Sequence, residues 1–270
     1  MTLSLHNIQD SNSSQTGDSE NNIFGRTLNP HNTALTAGGS SGGEGALVAF
    51  RGSVLGVGTD IAGSIRVPAL CCGLYGFRPT SDRIPFGGQV SGVVEGIPGL
   101  KPVAGPLAHS IADLKLFMRN VVGEGEAWRY DHTAVSVPWQ INPKVPAERN
   151  GGLTIGVLPE DKHFPLHPPV KRAVDRAVDI LTRAGHKIVQ LDNQKEELSV
   201  AYAARLAFQY FAYGPHNDHI RSSGEPPVGS VAKAPTPLFS GPLPVDQNLD
   251  PFQKIEQLHL ARQRVGAAWR

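Results

Sequence analysis

The sequence predicts an α/β fold, and three features point to it. Residues 153–191 read as strand, helix, strand. Residues 38–72 read as helix, strand, tight turn, helix, set among glycines. The composition, 40% hydrophobic and 18% charged, belongs to a chain that builds a core rather than a disordered one. With 270 residues there is enough chain for one large domain or two small ones. The net charge of +1, with lysines and arginines scattered, gives no footprint for a nucleic acid or an acidic membrane.

Residues 1–37 are polar overall and rich in Asn, Ser and Thr, and the segment DSENNIFGRTLNPHNTA holds one small apolar island, Ile23-Phe24. Composition alone reads this stretch as a surface loop. The first residues, MTLSLHNIQDSNSSQ, have no basic region and no apolar core, so they do not form a signal peptide. No run of about 18 apolar residues occurs, so no membrane span is expected. The two cysteines, Cys71 and Cys72, are adjacent. Vicinal thiols are strained as a structural disulfide and suit a reducing compartment, which favours a cytoplasmic protein.

Gly38 to Ser64 reads GGSSGGEGALVAFRGSVLGVGTDIAGS and holds nine glycines. Glycine at this density lets backbone N–H groups come close to a ligand and permits tight turns. Glu44 to Phe50 suits a short helix, capped by Ser40 or Ser41. Val54 to Gly58 suits a short buried strand, and Thr59 to Gly63 a turn. Ser64 then opens a second helical piece, SIRVPALCC, which Gly73 terminates. A chain that doubles back between Ser40 and Ser64 brings the two hydroxyls together. Ser64 would stand where a strand hands over to a helix, a place where backbone donors are free and negative charge is favoured.

Residues 76–109 carry five prolines and read as loops and short strands. Ser110-Ile-Ala-Asp113 has the form of a capping box, with a helix to about Val122 behind it. Residues 123–152 suit a connection. Leu153–Leu158 is a strand. Val170, Ala173, Val174, Ala177, Val178 and Leu181 then line one face of a helix that Pro168-Pro169 start and Gly185 stops. Lys187–Leu191 is the second strand, and a right-handed parallel βαβ unit follows. Glu196–Tyr213 reads as helix and 214–251 as a long loop. Phe252–Arg270 reads as an amphipathic helix with Phe252, Ile255, Leu258 and Ala261 on one face.

Several chemistries fit parts of this pattern. Gly38-Gly-Ser40-Ser-Gly42 matches a G-x-S-x-G nucleophile elbow, which would make Ser40 the nucleophile of an α/β-hydrolase-type esterase. That elbow needs a strand in front of it, and NPHNTALTA is a poor one. A phosphate loop needs a lysine after its last glycine, and no lysine precedes Lys101. A dinucleotide fingerprint is one residue out of register at Gly63. Plain structural roles are also open. Ser64 would cap the helix after it, Ser40 and Ser41 the helix after them, and Asp60 and Arg66 would pair to brace the turn. Cys71 and Cys72 read as small buried residues rather than nucleophiles. His216-Asn-Asp-His219 reads as solvated loop, not a metal site.

The composite pattern is more specific than any one motif. ENNIFGRTLNPHNTA, GGSSGGEGALVA, GVGTDIAGSIRVPA, CCGLYGFRPT and GPLAHS, in this order and spacing, closely resemble the amidase signature family, in its acetamidase-like and fatty-acid-amide-hydrolase-like branches. The resemblance implies a single α/β domain with a mixed, mostly parallel sheet covered by helices. On this basis residues 1–270 form a partial amidase signature domain, with a divergent or disordered start at 1–19. The signature core then spans 20–122, the βαβ unit 153–191 and the long loop 214–251. The resemblance further implies hydrolysis of a small-molecule amide by a Ser–Ser–Lys triad. Ser64 would be the nucleophile that forms an acyl-enzyme, and Ser40 the bridging proton relay beside a cis peptide bond. The N–H groups of Ile61, Ala62, Gly63 and Ser64 would form the oxyanion hole. No cofactor or metal is implied, and homo-oligomerisation is left open.

The pattern departs from the family in one respect. The base expected upstream of Ser40 is a lysine in a Lys-Asp context, and none is present. The opening residues diverge and the last helix has no stop signal, so the sequence reads as truncated at both ends. The expectation is a chain that is inactive alone, with open sheet edges and exposed apolar surface. The alternative is a non-catalytic remnant or partner-binding protein.

Overall fold

A computed structural model describes residues 17–89, 100–137, 139, 152–161, 164–191, 198–211, 224, 226, 228, 244–246 and 248–268. The chain divides into two compact units. One comprises Met1–Ile141 and Gly214–Leu238, the other Asn142–Tyr213 and Phe239–Arg270.

The first unit begins with two small antiparallel hairpins. Strands β1 (Glu20–Asn21) and β2 (Gly25–Arg26) form one, and β3 (Leu28–Asn29) and β4 (Asn32–Thr36) the other. This corrects the surface-loop reading of these residues. The asparagines that suggested loop instead close turns with their side chains. Asn21 Oδ1 accepts the N–H groups of Ile23 and Phe24. Asn29 Oδ1 accepts from His31 N, and Asn32 Oδ1 from Ala34 N.

Helix α1 (Gly42–Ala49) follows, then strand β5 (Leu55–Asp60), helix α2 (Arg66–Cys71), and strands β6 (Tyr75–Gly76) and β7 (Val103–Ala108). The sheet order is β5-β7-β6, antiparallel throughout. Strand β7 is buried along its whole length and is the centre of the unit. It is one of the short strands expected within 76–109, although it contains a proline. Pro106 is accommodated because its missing N–H faces β6, not β5. Its carbonyl accepts from Phe77 N at 3.0 Å, and β6 stops at Gly76, where the next rung would need a Pro106 donor. Ile65, Ala69 and Leu107 form one fully buried cluster, with Leu74 against it. Ile84, Ala104, Met118 and Val122 form another.

Helix α3 (Ile111–Met118) carries the expected cap: Ser110 Oγ accepts from Asp113 N at 3.1 Å. The helix passes into a π-helical turn, Arg119–Glu124, so the helical run reaches the expected end in a different form.

In the second unit, strand β8 (Thr154–Val157), helix α4 (Pro168–Arg183) and strand β9 (Lys187–Gln190) form the expected parallel βαβ unit, with Thr154 opposite Lys187 and Val157 opposite Gln190. Two prolines begin α4. Its end is a Schellman motif: Gly185 N donates to Thr182 O and His186 N to Leu181 O, with Gly185 at φ +85°. No residue of α4 is buried. Helices α5 (Val200–Phe211) and α6 (Pro251–Ala268) pack around Tyr202, Leu206, Val245, Leu258 and Ala261. Only half of the expected face of α6 is used, since Phe252 is 79% exposed. Both parallel and antiparallel ladders are therefore present, and among the described strands the antiparallel pairs outnumber the one parallel pair. Most of 214–251, including His216 and His219, lies outside the described residues. Among the described residues, no helix is long and apolar enough to cross a membrane.

Candidate active site

The site is built at the C-terminal end of β5. Here Asp60 closes the strand, and residues Ile61–Ile65 turn into α2. The Asp60 side chain is fully buried, and a bare carboxylate there would be costly. Its oxygens are met by donors instead. Gly63 N donates to Oδ1 at 2.8 Å, Ile65 N to Oδ2 at 3.1 Å, and Arg66 Nε and Nη2 to Oδ2 and Oδ1 at 3.0 Å each. Arg78 Nε approaches Oδ1 at 3.4 Å. Burial pulls the carboxyl upward. The Arg66 side chain, the Ile65 N–H and the Arg66 charge outweigh it and hold Asp60 below the ordinary carboxylate range. The ion pair expected between Asp60 and Arg66 is thus present. Arg78 joins it from a later loop, a contact with no local signal along the chain.

The turn itself requires glycine at position 63, where φ is +149°. Ser64, 8% exposed, follows it. The helix that starts here has Ile65 at its N-cap and no side-chain cap bond, so Ser64 does not serve as the cap. Of the four N–H groups expected to face a substrate oxygen, Gly63's is taken by Asp60. The N–H groups of Ile61, Ala62 and Ser64 have no hydrogen-bond partner among the described residues.

The second serine loop docks directly on this turn. Ser41 N donates to Ser64 O at 3.1 Å. Ser41 occupies the N-cap position of α1 but makes no cap bond there. Its hydroxyl instead accepts from Thr59 N at 3.1 Å and donates to Thr59 O at 3.2 Å. Thr59 is a rung whose polar groups point away from β7, and Ser41 satisfies both. Gly58 makes room: a Cβ there would stand 2.6 Å from Ser41 Oγ. The Gly39–Ser40 peptide is cis, as the resemblance implied. Ser40 is half-buried, and its carbonyl accepts from Ser19 Oγ at 3.1 Å. The fold therefore brings the segments carrying Ser40 and Ser64 into direct contact.

Other candidates fall elsewhere. Strand β4 does precede Ser40, contrary to the reading of NPHNTALTA, but it pairs only with β3 in a two-stranded ribbon and is mostly exposed. A nucleophile elbow rests on a strand of a central sheet. Cys72 is buried, and burial, followed by the charge of Cys71, pushes its thiol up to about 11. Lys101 is exposed and pairs with Asp82 at 2.7 Å.

Comparison with known proteins agrees with this geometry. The family model described as Amidase matches residues 9–228. An amidase of Gibberella moniliformis is 38% identical over 256 residues, which are 94% of this chain and 46% of the relative. An acetamidase of Emericella nidulans is 41% identical over 216 residues, 78% of this chain and 38% of the relative. The solved structure of a fatty acid amide hydrolase superposes with a TM-score of 0.72 at 33% identity, over 94% of this chain and 43% of that one. The chain belongs to the amidase family and has the α/β amidase signature fold. It spans less than half the length of these relatives.

Proposed function

We propose that this chain carries the nucleophile half of an amide-hydrolysing site. The reading rests on the hydrogen bond from Ser41 N to Ser64 O at 3.1 Å, which joins the two serine loops. A serine hydroxyl is a weak nucleophile and needs a base within reach. Ser64 Oγ attacks the amide carbonyl carbon. Its proton passes to Ser40 Oγ as Ser40 gives its own proton to the base. The negative oxygen formed on the substrate is held by the N–H groups of Ile61, Ala62 and Ser64, with Gly63 N reserved for Asp60. The base then protonates the amine nitrogen as the C–N bond breaks, leaving an acyl ester on Ser64. Water attacks that ester, releases the acid and restores the hydroxyl.

A lysine base must be buried enough to exist as the free amine. No lysine precedes Lys101 in these 270 residues, and Lys101 is exposed and ion-paired. None of these residues is assigned as the base, and the chain as given is expected to turn over amides slowly or not at all.

The test is labelling of the 270-residue protein with a fluorophosphonate probe, beside Ser64→Ala and Ser40→Ala. With no base assigned, the expected result is a slow label on Ser64 that disappears in Ser64→Ala and is slower still in Ser40→Ala. A label that survives Ser64→Ala sinks the assignment of the nucleophile. Absence of any label on folded protein favours the second reading, a non-catalytic member that binds a partner.

A further inference from the structure

We infer that Ser19 is a positioning residue for the Ser40 loop, an inference that rests on the proposed role of Ser40. Ser19 is 5% exposed and precedes β1. Its carbonyl accepts from Thr27 N at 2.8 Å, which fixes it to the first hairpin. Its hydroxyl meets three backbone groups of a single loop. It donates to Gly38 O at 3.0 Å and to Ser40 O at 3.1 Å, and accepts from Gly42 N at 2.9 Å. The one hydroxyl hydrogen is shared between two carbonyls, an arrangement open to a buried hydroxyl with donors and acceptors on both sides. The contacted groups flank Ser40 on both sides.

The fit leaves no slack. A Cβ on Gly42 would stand 2.4 Å from Ser19 Oγ, and one on Gly39 would stand 2.0 Å from Asp18 O. A second arm runs beside it. Asp18 bonds Thr36 Oγ1 and pairs with Arg26, and Thr36 Oγ1 accepts from Gly38 N at 2.9 Å. Residues 18–19 are thus wedged beneath residues 38–42.

The division of labour between two serines carries the inference. Gly42 N is one of the first, unpaired donors of α1. Ser41 stands at the N-cap, where its hydroxyl would ordinarily accept from the N2 or N3 donor, Gly43 or Glu44. Ser41 is spent on Thr59 instead, which ties the loop to β5 beside Ser64. Gly42 N, the first helical donor and one that an N-cap side chain does not serve, is satisfied by Ser19 from another part of the chain. The same hydroxyl reaches the Ser40 carbonyl. A residue needed only to cap α1 would make the first bond and neither of the others.

The experiment compares Ser19→Ala with Ser53→Ala in the 270-residue protein. Ser53 bonds Leu55 O at 2.7 Å in the same unit, outside the serine loop, and controls for loss of an ordinary side-chain bond. Two readouts are taken: hydrogen exchange of the amides of 38–43, and the kinetics of fluorophosphonate labelling. In Ser19→Ala, exchange at Gly42 should rise at least tenfold. The rate constant of inactivation should fall at least tenfold, with reversible probe binding within twofold of wild type. Ser53→Ala should change neither. Wild-type exchange in Ser19→Ala overturns the inference, as does an equal loss of labelling in Ser53→Ala. If the wild-type protein takes no label, the amide-hydrolase reading fails by itself, and exchange at 38–43 still decides whether Ser19 holds the loop.

Discussion

The glycine-rich hub and the βαβ unit are both regular, but their parts are held in opposite ways. In the hub, β7 and the end of β5 are buried, Ser41 and Thr59 satisfy each other across the loop that separates them, and Asp60 is met by the turn that follows it, by Arg66 and by the more distant Arg78. In the βαβ unit, α4 buries no residue, and its apolar face at Val170 and Val174 stays 40% exposed. Strong periodicity specifies an element but says nothing of what covers it. Glycine, which weakens elements taken singly, lets the hub close around side chains that a Cβ would exclude.

The sharpest way to break this comparison is to remove Asp60. Asp60→Ala leaves Arg66 half exposed and able to rehydrate, but strands Arg78 Nε, which has no other partner among the described residues. It also frees Gly63 N, which holds the turn. Loss of one member of a buried ion pair costs about 3–5 kcal/mol, and chemical denaturation should find a loss of that order together with loss of any label on Ser64. The pH dependence follows from the same group. The folded carboxyl is held below its ordinary value. Its contribution is therefore complete above the unfolded pKa of about 4 and is lost as pH falls through the folded value. Asp60→Asn should flatten part of the stability loss that sets in as pH falls below about 4. Asp131 keeps the rest of that loss. It is held down to about 2, first by the Thr133 side chain and then by the backbone N–H groups of Thr133 and Gly87. An unchanged acid limb in Asp60→Asn would mean that the carboxylate is not held by its neighbours.

The second effect in size is Leu107→Ala. Leu107 is fully buried between Ile65 and Ala69. Truncation of a buried leucine costs about 2–5 kcal/mol, depending on how far the site collapses. Here the neighbours Ile65 and Ala69 are held by helix α2 and buried against the sheet, so the upper half of that range is expected in urea titration. A loss below about 1 kcal/mol would place the core of the first unit elsewhere.

These two positions also show what was legible in the sequence. The order α1, β5, turn, α2 follows from local signals, as do the Ser110 cap and the Pro168–Gly185 bounds of α4, and all are present in the structure. A short strand within 76–109 was legible, but the central place of β7 was not, because Pro106 argues against a central strand. Which flank of a strand carries its N–H groups is a matter of pairing, not of composition. The hairpins of residues 20–36 were hidden for a related reason: asparagine marks turns and loops alike, and its partner decides between them. In the site, the approach of the Ser40 and Ser64 segments and the Asp60–Arg66 pair were readable from the sequence, whereas roles for the two serines came only from the family resemblance. The capture of Gly63 N by Asp60 is a local turn bond that the motif reading passed over, while the approach of Arg78 and the clasp at Ser19 depend on how the chain returns upon itself.

The smallest effect is expected on the other side of the comparison. Val174 lies on the face of α4 that periodicity marks as the core side, yet it is 40% exposed. Full burial of a valine side chain is worth about 1.5 kcal/mol or a little more. A residue that keeps two-fifths of its surface in water gains only part of that, so Val174→Ser should cost about 1 kcal/mol or less. Serine also has a slightly better intrinsic helix preference than valine, which offsets a few tenths of that loss. Urea titration of Val174→Ser beside Leu107→Ala measures the contrast directly. A several-fold smaller loss at Val174 means that α4 is a helix by its own periodicity, caps and prolines, with little return from burial. Equal losses at the two positions would mean that the face of α4 is covered in solution, and the contrast drawn between the two regions would fall.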